Sequence, residues 1–306
     1  MGTDTLALGT SAAPAGSAVP MLRVVLNFRW APILVYTQRQ QEITVTMICK
    51  VAVWSALAVL IGAGPLAMAE ANSSPVVSKE IAAAIADPTR PATDTSRDAN
   101  RKPAETLAFT GVKPGDRVAD YAGGSGYFTR LFSDVVGSTG HVYAVMPYPF
   151  LQFAGEVKGL AEMETFGRDH PNVSVTAAAA LEGTKFPEKL DLFWIAQDYH
   201  DLKDKFMGPV DTAAFNKAVY DALKPGGTYV VLDHSAVAGA PADVTDTLHR
   251  IEASTVRREV EAAGFKFEAE SQILANADDP RTAKVFDASI RGRTDQFILK
   301  FRKPKR

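Results

Sequence analysis

From Gly111 onward the chain alternates short apolar runs with amphipathic stretches. Five runs rich in β-branched and aromatic residues predict strands: Val118–Ala122, His141–Met146, Val173–Ala178, Leu190–Ala196 and Thr228–His234. The stretches between and after them, Tyr127–Val136, Phe150–Phe166, Asp211–Leu223 and Leu248–Ala263, predict helices. Gly264 closes the last helix, and Lys224-Pro225-Gly226-Gly227 stops the one before it. Phe265–Ser271 and Asp295–Phe301 predict a closing antiparallel pair with a long connection. Upstream, Ser96–Thr110 predicts a helix interrupted at Pro103, and Lys79–Ala86 a short one. The expected fold is α/β and Rossmann-like. It is a doubly wound, mainly parallel seven-stranded sheet with an antiparallel C-terminal edge, spanning residues 93–306 after a surface lead-in at 70–92.

A different pattern occupies the N-terminal part. Val51–Ala69 carries no charge, follows Lys50 and ends in Ala67-Met68-Ala69. A positive flank, an apolar stretch and a small-x-small site together read as a signal peptide over residues 47–69. Cleavage is expected after Ala69 or Ala71, and the mature chain is expected to be exported and periplasmic. Gly62, Gly64 and Pro65 weaken the run as a membrane anchor. Met47 alone would begin a compact signal, so residues 1–46 read as a non-structural leader. The single cysteine, Cys49, would leave with the signal. That excludes disulfides, thiolate zinc sites and a cysteine nucleophile from the mature chain.

Charge narrows the partners. With 33 basic and 35 acidic side chains the formal net charge is -2, which offers no footprint for a nucleic-acid polymer. The basic end, Phe301–Arg306, reads as a solvated tail. A small-molecule partner is expected instead, with no stable membrane span after signal cleavage.

Candidate chemistry concentrates between the first strand and its helix, at Asp120-Tyr121-Ala122-Gly123-Gly124-Ser125-Gly126-Tyr127. A turn there lies at the carboxyl edge of the sheet, where open α/β folds bind ligands. Glycine lets backbone approach a ligand closely, and the following helix offers free N–H groups. A dinucleotide fingerprint would place a third glycine where Thr129 stands. The pattern of an acid and spaced glycines, Asp120, Ala122, Gly124 and Gly126, matches an S-adenosylmethionine (SAM) turn with one Gly-to-Ala change.

On these residues the stretch Gly111–Met146 resembles the opening of a class I SAM-dependent methyltransferase. Asp198-Tyr199-His200-Asp201-Leu202, Leu232-Asp233-His234-Ser235, His249-Arg250-Ile251 and Arg291–Phe297 resemble a group of bacterial, often exported, methyltransferases. The resemblance implies SAM as cofactor, held by Asp120 through Tyr127. It implies an unknown small molecule or envelope component as methyl acceptor. In such families an acid ends the second strand and grips the ribose. Here Met146 holds that position, and Glu156 lies too far along the chain to replace it. A methionine accepts such hydrogen bonds poorly. This leaves a second reading open, an exported binding module that kept the fold and lost methyl transfer.

Asp198, His200 and Asp201 follow the fourth strand at the same edge. A histidine suits proton removal from an acceptor, so His200 is the first catalytic candidate, with Asp198 as its orienting partner. Asp201, His234, Arg97 and Arg101 are candidates for substrate contact. The arginines lie one helical turn apart. His249 and Arg250 fall in the late helix and read as structural or substrate-binding. No H-x-H or H-E-x-x-H spacing occurs, so no metal site is expected, and the absence of G-x-S-x-G argues against a serine hydrolase.

Overall fold

A computed structural model describes residues 76–305; the leader, the signal segment and its cleavage site lie outside them. The strands are β1 (Arg117–Tyr121), β2 (His141–Pro147), β3 (Val173–Ala178), β4 (Leu190–Ala196), β5 (Leu223–His234), β6 (Lys266–Ser271) and β7 (Gln296–Arg302). They form one sheet in the order β3-β2-β1-β4-β5-β7-β6. The first five pair in parallel, and β7 runs antiparallel to both β5 and β6. The helices are α1 (Lys79–Ile85), α2 (Ala92–Thr95), α3 (Asp98–Arg101), α4 (Pro103–Thr110), α5 (Tyr127–Val136), α6 (Ala154–Asp169), α7 (Thr212–Ala222), α8 (Val244–Leu248) and α9 (Ala253–Ala262).

Near-continuous apolar strands are what a sheet covered on both faces requires. Alternate residues of β4 show it: Leu192 and Trp194 join a core under α1, α4 and α5, while Phe193 and Ile195 join one under α7 and α9. Ile81 and Ala84 are buried in the first of these cores, so the helix within the segment expected as a surface lead-in packs on α4 and α5. No helix among the described residues is long and apolar enough to cross a membrane.

The helix expected over Ser96–Thr110 breaks at Pro103 as its sequence predicts, into α3 and α4, with Lys102 in a left-handed conformation (φ 42°) between them. Two other elements differ from their sequence expectation, each for a local reason. Strand β5 begins at Leu223, since Gly226 and Gly227 exchange backbone hydrogen bonds with Lys303 and extend the ladder through the expected stop. The late helix splits at His249 (φ 53°), where Ile251 bridges to Ser235 beside β5.

The order of the strands positions the site. β1 and β4 are parallel neighbours, Tyr121 opposite Ile195, and the chain leaves β1 toward β2 on one side and returns at β4 on the other. Loops leaving the two carboxyl ends diverge there and open a crevice.

Candidate functional site

The crevice is a cleft of about 760 Å³. Its floor is the turn after β1. Ala122 and Gly124 both hold positive φ there, 59° and 54°. A Cβ on Gly124 would meet only Glu156 Oε2, at 3.8 Å, so the turn presents bare backbone to open space. Behind it, α6 approaches so closely that a Cβ on Gly159 would lie 3.0 Å from the Gly124 carbonyl carbon.

Asp120, Ala122, Gly123, Gly124, Ser125 and Tyr127 line the cleft. Tyr121, Gly126 and Met146 do not. Tyr121 is buried edge-on against Phe215, 5.1 Å between ring centres. Gly126 faces inward, where a Cβ would meet Met163 Sδ at 2.7 Å. Met146 is fully buried, because the chain turns back through Tyr148–Gln152 and brings Phe150 into the same apolar cluster.

The acid expected to be missing arrives from elsewhere. Glu156, read from the sequence as too distant, lies in the first turn of α6 and lines the cleft opposite Gly124. Burial, then the nearby Asp201 carboxylate, raises its pKa above the ordinary glutamate value. Asp120 is also buried and accepts a hydrogen bond from Thr129 Oγ1 at 2.6 Å; burial lifts its pKa to about 6.

Tyr127 forms a platform at the start of α5. Its hydroxyl donates to Asp98 Oδ1 (2.6 Å), and Arg90 grips the same carboxylate through both terminal nitrogens. Arg97 and Arg101 lie over the ring, at 4.9 and 4.6 Å from its centre. The two arginines line the cleft but differ in partners. Arg97 is tied to Asp94 at 2.9 Å. Arg101 makes no ion pair among the described residues and donates only to Gln197 Oε1, at 3.1 Å. Burial, with Arg97 beside it, lowers its pKa to about 10, which still leaves it cationic near neutral pH.

The opposite wall follows β4. Asp198 lines the cleft and makes no side-chain hydrogen bond among the described residues; burial and then the Asp201 charge hold its pKa well above the usual value. The orienting partner of His200 is Asp233, not Asp198. Asp233 Oδ1 lies 2.8 Å from His200 Nδ1, and Oδ2 accepts from the His200 backbone N–H at 2.8 Å. Burial alone would lower the His200 pKa, but the Asp233 and Asp201 carboxylates outweigh it and raise it well above the ordinary histidine value. His234 lines the cleft with Nδ1 2.7 Å from Thr294 Oγ1, and burial depresses its pKa to about 3.

One cluster is invisible in sequence spacing. His200, Asp201, Asp204 and His249 bring ligand-type atoms within 4.8 Å of one another on this wall. Arg250, the neighbour of His249, points away into a buried bidentate pair with Asp279. At the mouth, Phe206 packs edge-on against Phe150 and Phe153, and Phe286 stands over His249. Phe153 and Phe286 are 45% and 55% exposed, so the lip of a polar cleft is apolar.

No family model matches the chain. It is 35% identical over 131 residues to the ubiquinone/menaquinone biosynthesis C-methyltransferase UbiE of Psychromonas ingrahamii, covering 42% of this chain and 47% of that protein. The corresponding protein of Teredinibacter turnerae matches to the same extent. The chain thus spans about half the length of the curated relatives it matches. Among solved structures, a SAM-dependent methyltransferase from Aquifex aeolicus aligns over 68% of this chain and 93% of its own, with 19% identity and a TM-score of 0.47.

Proposed function

We propose that the protein is a SAM-dependent methyltransferase acting on a small molecule with an apolar or aromatic body. The observation that carries this reading is a single cleft at the sheet's switch point. The bare turn of Gly123, Gly124 and Ser125 forms one side, and Asp198 and His200 form the other. The partial likeness to curated methyltransferases supports the same chemistry.

The residues present fit the cofactor. Arg101, a cation without a carboxylate partner, would take the carboxylate of its amino-acid end. Glu156 would accept from the ribose hydroxyls in place of the strand-end acid, and the turn would let the ligand lie against backbone. Bound SAM supplies an electrophilic methyl group on a sulfonium. The protein's part is to bind, align and exclude water. The phenylalanine lip would hold the acceptor's apolar body, and Asp198 and His200 stand where its nucleophile and the departing proton must be managed.

Calorimetric titration with SAM, S-adenosylhomocysteine and NAD tests the reading. One-to-one binding of the first two, without NAD binding, is expected. Binding of NAD alone, or of none of the three, overturns it. We also propose export of the mature chain, on the apolar run ending in Ala67-Met68-Ala69. Mass spectrometry of the protein from a bacterial host should find a mature N-terminus at Glu70 or Asn72. An intact Val51–Ala69 in the membrane fraction contradicts it.

A further inference from the structure

We propose that His200, Asp201, Asp204 and His249 form a divalent cation site on the acceptor side of the cleft. The spacing approaches that of a ligand shell, with the four ligand atoms all within 4.8 Å of one another. Around an ion bound by nitrogen and oxygen at about 2.0–2.1 Å, tetrahedral ligand atoms stand roughly 3.3–3.4 Å apart. His200 Nε2 lies 3.3 Å from His249 Nδ1 and 3.2 Å from Asp201 Oδ1. His249 Nδ1 lies 3.5 Å from Asp201 Oδ1 and 3.6 Å from Asp204 Oδ2.

Two further observations point to a ligand. Asp204 has a side chain only 1% exposed, and among the described residues neither of its carboxylate oxygens makes a hydrogen bond, the one hydroxyl near it being that of Thr245, also buried and unpaired. A buried acceptor left so is costly, and a carboxylate more than most. Asp201 and Asp204 also lack any lysine or arginine ion pair among the described residues, and the imidazoles of His200 and His249 are the basic groups within ion-pair distance of them. A proton shared between the rings would quiet part of this charge but would leave Asp204 with only the neutral Thr245 hydroxyl beside it. A dication answers the two carboxylates together.

The orientation of His200 agrees. Asp233 holds Nδ1, so Nε2 is the ring atom that faces the cluster, where an ion would replace the proton it carries. A carboxylate holding the far nitrogen is the usual outer partner of a metal-bound histidine. Two imidazoles and two carboxylates favour a borderline first-row ion of the zinc class over magnesium or calcium, whose shells are oxygen. All four residues line the cleft, so an open coordination position would face its interior. An acceptor oxygen bound there would be acidified for methylation. Only this last role rests on the methyltransferase reading; the ion site stands on its four residues.

The test uses the untagged full chain, stripped with a chelator and titrated calorimetrically with ZnCl2 and, separately, MgCl2. The expected result is one Zn²⁺ per chain, bound far more tightly than Mg²⁺. Affinity should fall at least about tenfold in Asp204→Asn and in His249→Gln, both checked by circular dichroism. On the wild type, Co²⁺ should broaden the imidazole NMR signals of His200 and His249, a readout that requires no variant. Failure of Zn²⁺ to bind, binding unchanged in either folded variant, or Co²⁺ leaving both imidazoles unaffected overturns the site. A SAM titration on the same samples separates the two ideas: zinc without SAM sinks methyl transfer and keeps the ion site, and SAM without zinc does the reverse.

Discussion

Asp233 holds His200 at two points, its Oδ1 2.8 Å from the imidazole Nδ1 and its Oδ2 2.8 Å from the backbone N–H. Asp233 is the penultimate residue of β5 and fully buried, so the histidine's ring plane is set from beneath. The Nε2 edge is thereby left to the cleft. His200→Ala should accordingly lower methyl transfer by about two to four orders of magnitude, the usual cost of losing a positioned proton-handling group. SAM affinity, measured by titration, should stay within a few-fold of wild type, because His200 stands across the cleft from the glycine turn. Unchanged turnover would make His200 structural.

Arg101→Ala should weaken SAM binding by about one to two orders of magnitude. Hydrogen bonds to a charged group contribute roughly 1.5–3 kcal/mol, and Arg101 makes no ion pair among the described residues. Arg97→Ala, which removes a guanidinium already paired with Asp94, should have a much smaller effect on the same titration. Equal losses in the two variants would contradict the assignment.

Glu156→Gln should cost SAM affinity on a similar scale, roughly tenfold or more, if its carboxylate receives the ribose hydroxyls. Met146→Glu makes a contrasting case. A carboxylate at that position would be enclosed in the apolar cluster with Phe150, not offered to the cleft. It should destabilise the fold by several kcal/mol and leave SAM binding no tighter. Urea melts and titrations on the two variants distinguish a cleft acid from a core position.

Asp120 predicts a pH dependence of stability. Its folded pKa, raised by burial from 3.8 to about 6, lies above the unfolded value. Below about pH 4 the group is protonated in both states and imposes no penalty. As pH rises from about 4 to 6 the unfolded chain ionises while the buried carboxyl stays protonated, and stability falls by up to about 3 kcal/mol, two pKa units at 1.36 kcal/mol each, before levelling off. Asp120→Asn should remove that component, so its stability relative to wild type should grow between pH 4 and pH 7. A difference that stays flat across this range would show Asp120 to be unshifted.

The hydrophobic pattern was sufficient for the architecture because the central strands of a twice-covered sheet are near-continuous apolar runs. Leu190–Ala196 and His141–Pro147 are found where the runs of apolar and β-branched residues lie. The turn at Ala122–Gly126 was legible for a related reason, since positive φ and close backbone approach leave glycine and a few tolerated substitutes. Tertiary structure alone decided which side chains share the cleft. Glu156 enters it by the packing of α6 on the turn, while Met146 leaves it by the fold-back at Phe150. His249 joins His200 and Asp204 from 45 residues or more along the chain, because its left-handed backbone ends α8 at the cleft wall. A local pattern records the period of an element and the demands of a turn. Which elements' ends converge is set by strand order and helix packing, and these depend on the whole core at once.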